Sequence, residues 1–142
     1  MTTEDPQSFS HQNNHEWCLL CGDRNPLSQK FRFISHTDGT VTTVIQARRY
    51  MQGYAGIMHG GVIAALLDAA MTHCLFHREI QGLTCELKVR YAHAIHVDSD
   101  VEIRAWIIKE TPRLFWLKSE ALVSGKVMVW AEGKFLPRNK VG

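Results

Sequence analysis

Gly53-Tyr-Ala-Gly-Ile-Met-His-Gly-Gly-Val-Ile-Ala-Ala-Leu-Leu-Asp-Ala-Ala-Met-Thr-His-Cys-Leu-Phe76 is the stretch on which the reading of this chain turns. It opens as a glycine-rich loop, passes through His59-Gly60-Gly61, and becomes apolar around one carboxylate, Asp68. Val62/Ile63, Leu66/Leu67, Ala70/Met71 and Cys74/Leu75 recur every four residues, the spacing of a buried helical stripe. A long helix is therefore predicted from about Gly60 to His77. The first N–H groups of a helix lack intrahelical partners, and the helix dipole favours negative charge beside them. Glycines there let a carbonyl come close. A carboxylate two turns further on is costly in apolar surroundings unless it is paired or put to use. An electrophilic cradle and a base on one element point to attack on a carbonyl. The same residues also suit a plainer reading, a tight Gly-Gly turn and an aspartate that is solvated or bonded to backbone.

Gly60 and Asp68 lie about 12 Å apart along one helix. A catalytic contact spans about 3 Å, so one carbonyl cannot touch both. If both serve one reaction, they come from two antiparallel copies related by a two-fold axis. Asp68 sits off the main stripe beside Ala64, Ala65 and Thr72, small side chains that let a second chain approach. A homodimer with two shared sites is the expectation.

The 142 residues are enough for one domain with a sizeable core. A composition of 45% hydrophobic and 21% charged residues is that of a soluble globular protein, and a net charge of +2 calls for neither nucleic acid nor a membrane. Residues 1–16 read as a flexible polar arm without the apolar segment of a signal peptide, and residues 17–142 as a single domain. With no run of about 18 apolar residues, a cytoplasmic protein is expected.

Of the four cysteines, Cys74 lies in the helical stripe and Cys85 on the apolar face of a strand, so both read as small core residues. His11, His15, Cys18 and Cys21 have a spacing that suits four zinc ligands. Zinc modules usually place an ordered hairpin or helix between the ligand pairs, which this arm lacks, and Gly22–Pro26 reads as a plain turn. No metal is expected, and a disulfide is disfavoured in a reducing compartment.

Around the helix the pattern is one of strands. Phe31-Arg-Phe-Ile-Ser35 alternates, Thr37-Asp-Gly39 is a hairpin turn, and Val41 to Ala47 forms a second strand. Leu83, Cys85, Leu87, Val89 and Tyr91 point one way, and Thr84, Glu86, Lys88 and Arg90 the other. Val101–Ile107, Phe115–Val123 and Val127–Phe135 complete the set, with Ser124-Gly125 as the last turn. The predicted class is α+β, one long central helix against an antiparallel sheet of about six strands. One helix covers one sheet face, so the other must be polar or covered by another subunit. Trp106, Trp116 and Trp130 point outward and suit such a contact.

These elements, the His59-Gly60-Gly61…Asp68 spacing, the lead-in Cys18-Leu-Leu-Cys-Gly-Asp-Arg-Asn-Pro26 and the run Gln52–Gly61 resemble the hotdog-fold acyl-CoA thioesterases, specifically the PaaI-type branch. The resemblance covers about Trp17 to Leu136. It implies a helix wrapped by a curved sheet, dimers joined edge to edge, and dimers of dimers. By this resemblance Asp68 is the general base or nucleophile, the Gly60 N–H the oxyanion donor, Gly61 a part of the tight helix start, and His59 the residue that shapes the loop. Thr84 falls where relatives hold the water. Some relatives carry an asparagine six positions before this histidine. Here that place is Gly53, with Gln52 beside it.

Gln52, Gly53 and Met58 in the loop are candidate substrate-binding residues, with Lys88 and Arg90 as cations for the nucleotide of coenzyme A. Arg48, Arg49 and Arg113 are further cations of this kind. No cofactor is expected; the partners are an acyl-CoA substrate and further copies of the chain. His73 and His77 stand four apart on the helix, a spacing also compatible with metal, and read as histidines favoured by the dipole at a helix end. Two other readings stand beside hydrolysis, a non-catalytic acyl-CoA binding module and a hydroxyacyl-thioester dehydratase. In the dehydratases the carboxylate lies further along the helix from the histidine than Asp68 does from His59.

Overall fold

The four-residue apolar spacing forms a helix where it was expected. In the computed structural model, which describes residues 15–138, helix α1 spans Gly60–Phe76, and His77 caps its C-terminus. Strands β1 (Ile34–Ser35) and β2 (Val41–Gln46) precede it; β3 (Gly82–Tyr91), β4 (Asp100–Glu110), β5 (Phe115–Val123) and β6 (Lys126–Pro137) follow. All pairings are antiparallel, in the order β1-β2-β4-β5-β6-β3, so β3 leaves the helix and returns to an edge of the sheet. Residues 1–14, most of the polar arm, lie outside the described residues.

The helix packs on one sheet face. Leu66, Leu67, Met71 and Leu75 of α1 meet Ile103, Leu117, Val129 and Phe135, all fully buried. Burying each such side chain contributes roughly 1.5–3 kcal/mol. The approach is close at Gly133, where a Cβ would stand 2.7 Å from Phe135 Cε2 and 3.1 Å from Met71. The opposite face carries cross-strand ion pairs: Arg104–Glu120 at 2.7 Å, Lys118–Glu132 at 3.7 Å and Lys134–Glu86 at 3.0 Å. Trp130 is exposed on that face, and Lys109 lies over the Trp116 ring at 4.8 Å.

Three sequence expectations need correction. The first strand is only Ile34–Ser35, because the Phe31 N–H bonds to the Leu20 carbonyl, although Phe31 and Phe33 are buried. Cys85 is exposed rather than in the core, its thiol directed to the Lys134 carbonyl at 3.2 Å. The alternation of β3 also breaks: the β3–β6 register shifts between Thr84 and Glu86, an irregularity of the bulge type. Thr84 pairs with Phe135, whose side chain is in the core, and Leu87 and Val89 pair with Gly133 and Ala131 on that same face. Thr84 therefore shares the helix side with Leu87 and Val89 instead of lying with Glu86, Lys88 and Arg90.

Leu67→Ala should cost about 2–5 kcal/mol in denaturant unfolding. Val44→Ala, on the open face, should stay within about 0.5 kcal/mol. Equal losses would mean that the buried face is misassigned.

Candidate active site

The glycine-rich loop meets the helix at His59, whose backbone is extended and whose side chain is the N-cap. Its Nδ1 accepts the Gly61 N–H at 2.8 Å, which puts the proton of a neutral ring on Nε2. The His59 carbonyl takes the Val62 and Ile63 N–H groups, each at 3.1 Å. Of the first N–H groups, that of Gly60 is left without a partner among the described residues. An uncommitted donor at the positive end of a helix is an anion-binding group by construction.

Tyr91, at the far end of β3, donates its hydroxyl to the Gly60 carbonyl at 2.7 Å and so fixes the peptide that follows Gly60. Its ring, with Met58, His59, Gly60 and Ile63, lines a cleft of about 700 Å³. The sequence reading placed Tyr91 on the inner face of its strand and gave it no role. Hydropathy carries no cue for a hydrogen bond across 31 residues.

Two turns along α1, Asp68 is half-buried, and Thr84 Oγ1 donates to its Oδ1 at 2.6 Å. Burial pushes the Asp68 carboxyl above the ordinary carboxylate range, and the Thr84 hydrogen bond partly opposes this. A carboxylate whose proton affinity is raised by burial and which is oriented by a hydroxyl is a candidate proton acceptor. The β3 bulge makes this contact possible.

The remaining candidates fall into groups. Met58 and Gly53 line the cleft, and Gly53 lies against the His59 ring. Gln52 spends its side-chain carbonyl on the Gly56 N–H at 3.1 Å, which makes it a loop brace. Lys88 and Arg90 are exposed and pair with Glu132 and Trp130, on the sheet face away from Asp68 of their own chain. His73 is no charged helix-end group. Burial, with His15 nearby, lowers it to about 3, and its ring stacks on Phe33 at 4.4 Å.

A family model described as Thioesterase superfamily matches residues 55–117, the loop, α1, β3, β4 and the start of β5. The chain has the hotdog fold, and its loop, helix and following strands are similar to the thioesterase superfamily. Its sheet and helix also match the PaaI phenylacetic acid degradation protein of Thermus thermophilus, solved as an asparagine-to-aspartate variant. That match has a TM-score of 0.70 and 20% identity, over 75% of this chain and 92% of that one. The PaaI-type resemblance thus holds in the architecture.

A thioesterase superfamily protein aligns with TM-score 0.76 and 25% identity over 81% of this chain, which spans 60% of that protein's length. A hypothetical thioesterase of Streptococcus pneumoniae, solved with coenzyme A, aligns at 0.73 with 16% identity, over 78% of this chain and 90% of that one. That protein was also solved with an aspartate, and separately a threonine sixteen residues later, replaced by alanine. No curated protein gave a match. Among the described residues no helix is long and apolar enough to cross a membrane.

The raised pKa of Asp68 has a consequence for stability. Its native state binds the proton more tightly than the unfolded chain, so its contribution is present at low pH and lost as pH rises through the folded value. Asn keeps an acceptor for Thr84 and cannot ionise. Asp68→Asn should therefore raise the thermal midpoint at neutral pH, and the gain should vanish on acidification. A gain that grows towards acid pH would contradict the direction of the shift.

Proposed function

We propose that the chain hydrolyses an acyl-CoA thioester in sites shared between two copies. The observation that carries this reading is a half-buried Asp68 carboxylate held by Thr84, two turns from a Gly60 N–H with no partner among the described residues. Asp68 takes a proton from water, and the resulting hydroxide attacks the thioester carbonyl. The oxyanion accepts the Gly60 N–H, an interaction of a kind typically worth about 3–4 kcal/mol. Collapse expels the coenzyme A thiolate, which recovers the proton, leaving a free acid and a thiol. Direct attack by the carboxylate, giving an anhydride that water then opens, uses the same groups. The thioesterase relatives support hydrolysis as the reaction class, and the coenzyme A bound by the pneumococcal protein supports the substrate class. Asp68 and Thr84 are sixteen residues apart, like the aspartate and threonine replaced in that protein.

The edge strand supports the sharing. β3 is ten residues long, and its Leu83, Leu87 and Tyr91 are 41%, 37% and 49% exposed. A long, apolar, unpaired edge invites another strand. Antiparallel pairing of two β3 strands would continue the sheet and bring Asp68 of one copy towards Gly60 of the other. Lys88 and Arg90 then lie near the seam, available to the nucleotide. Binding without turnover is the second reading, favoured by Gly53 standing where some relatives carry a water-positioning asparagine, while the neighbouring Gln52 is tied to Gly56.

An acyl-CoA panel with thiol detection separates the two. Asp68→Asn should lower kcat by roughly 10²-fold or more with KM little changed. Thr84→Val removes the group that opposes the raised pKa, so the acid limb of its pH–rate profile should move to higher pH. Gly60→Pro keeps a favourable first helical residue while deleting the N–H. Mixed with Asp68→Asn chains it should recover part of the activity. Folded heterodimers that recover none would defeat the shared site, and a fully active Asp68→Asn would defeat the mechanism.

A further inference from the structure

In the sequence alone, the segment ahead of β1 offers no ordered element between its histidines and cysteines. The described part of this segment, which begins at His15, is held by backbone hydrogen bonds. The Cys18 N–H bonds to the His15 carbonyl at 3.0 Å, Gly22 N–H to the Cys18 carbonyl at 2.9 Å, and Arg24 N–H to the Glu16 carbonyl at 2.8 Å. Further along, Gln29 and Phe31 bond back to Leu19 and Leu20. This winding closes a tight loop around the two cysteines. A Cβ at Gly22 would stand 2.5 Å from both the Cys18 nitrogen and the Glu16 carbonyl oxygen, so only glycine fits after Cys21. The Leu20 N–H points at Cys18 Sγ at 3.4 Å, the kind of donor that supports a thiolate.

His15, Cys18 and Cys21 place their donor atoms within 4.8 Å of one another, and Cys21 Sγ lies 3.5 Å from His15 Nδ1. In a tetrahedral zinc site, Zn–S of about 2.3 Å and Zn–N of about 2.0 Å put neighbouring donors roughly 3.5–3.8 Å apart. We propose that His15, Cys18 and Cys21 bind a zinc ion that fastens the lead-in segment to the C-terminal end of α1. Two sulfurs and an imidazole favour zinc over the hard cations, which prefer oxygen. Two thiolates neutralise its charge.

The anchorage is visible in the packing. Cys21 is buried, the His15 ring meets Phe76 edge-on at 4.4 Å, and Phe76 meets His73, which stacks on Phe33. The His73 Nε2 is buried in this cluster with no hydrogen-bond partner among the described residues. Phe76 lies about 12 Å along α1 from Asp68, so the ion would be structural. The proposal stands apart from the hydrolytic reading, and its test does not use activity.

Protein purified under reducing conditions without chelator should carry close to one zinc per chain by elemental analysis. Cobalt in its place should give thiolate charge-transfer absorption and the intense visible bands of tetrahedral coordination. Both signals should be lost in Cys18→Ser and Cys21→Ser and kept in Cys74→Ser. Chelator should lower the thermal midpoint of the wild type. Should the serine variants fail to fold, the wild type alone decides. Folded protein that retains no zinc after loading and gel filtration overturns the proposal, as does a reduced chain whose melting ignores chelator. Unchanged zinc in a folded Cys18→Ser, Cys21→Ser double variant also overturns it.

Discussion

Seventeen residues of α1, apolar on almost every side, have to leave water, and the rest of the molecule is arranged around that burial. A helix of this kind needs a surface broader than another helix can supply. One face of a six-stranded sheet provides it, and Gly133 lets the two come close. What the sheet leaves open is then determined: the start of the helix, where backbone N–H groups emerge, and the flank that carries Asp68. The candidate active-site residues lie at the two places that this packing does not seal.

Those places differ in physical character. At the helix start the active element is backbone, and side chains only prepare it. His59 caps one donor with Nδ1 and two with its carbonyl, Tyr91 steadies the Gly60 carbonyl, and the Gly60 N–H has no partner among the described residues. At Asp68 the active element is a side chain whose proton affinity comes from burial and is moderated by one hydroxyl. An electrophilic end and a basic flank on one rigid rod cannot converge within a single copy. In the proposed shared site, the unpaired β3 edge is what would bring the two together.

Hydropathy revealed the architecture because periodicity and burial are the same physical fact seen twice. The four-residue stripe predicted α1 to within a residue, and the order of strands around it followed from alternation. His59, Gly60 and Asp68 stand out as candidates in the sequence because glycines before an apolar helix, and a carboxylate inside one, are costly unless used. Thr84 was assigned to the wrong face because a register shift is a backbone event. Leu83, Cys85 and Leu87 alternate without interruption in the sequence, and nothing in them announces that the strand slips between Thr84 and Glu86. His73 was misread for a related reason. Its place near a helix end was visible, but Phe33, which buries it, comes from 40 residues away. Tyr91 illustrates the general limit, since its contact with Gly60 exists only after the sheet has formed.

The slip in β3 also leaves a chemical handle. Cys74 and Cys21 are buried and Cys18 is partly so, whereas Cys85 stands exposed at the irregularity, next to the threonine that holds Asp68. A thiol-directed reagent therefore reaches first the edge strand on which the shared-site reading depends. Its rate of labelling is a local gauge of whether that edge is open or covered, read at a sulfur atom one residue from the proposed chemistry.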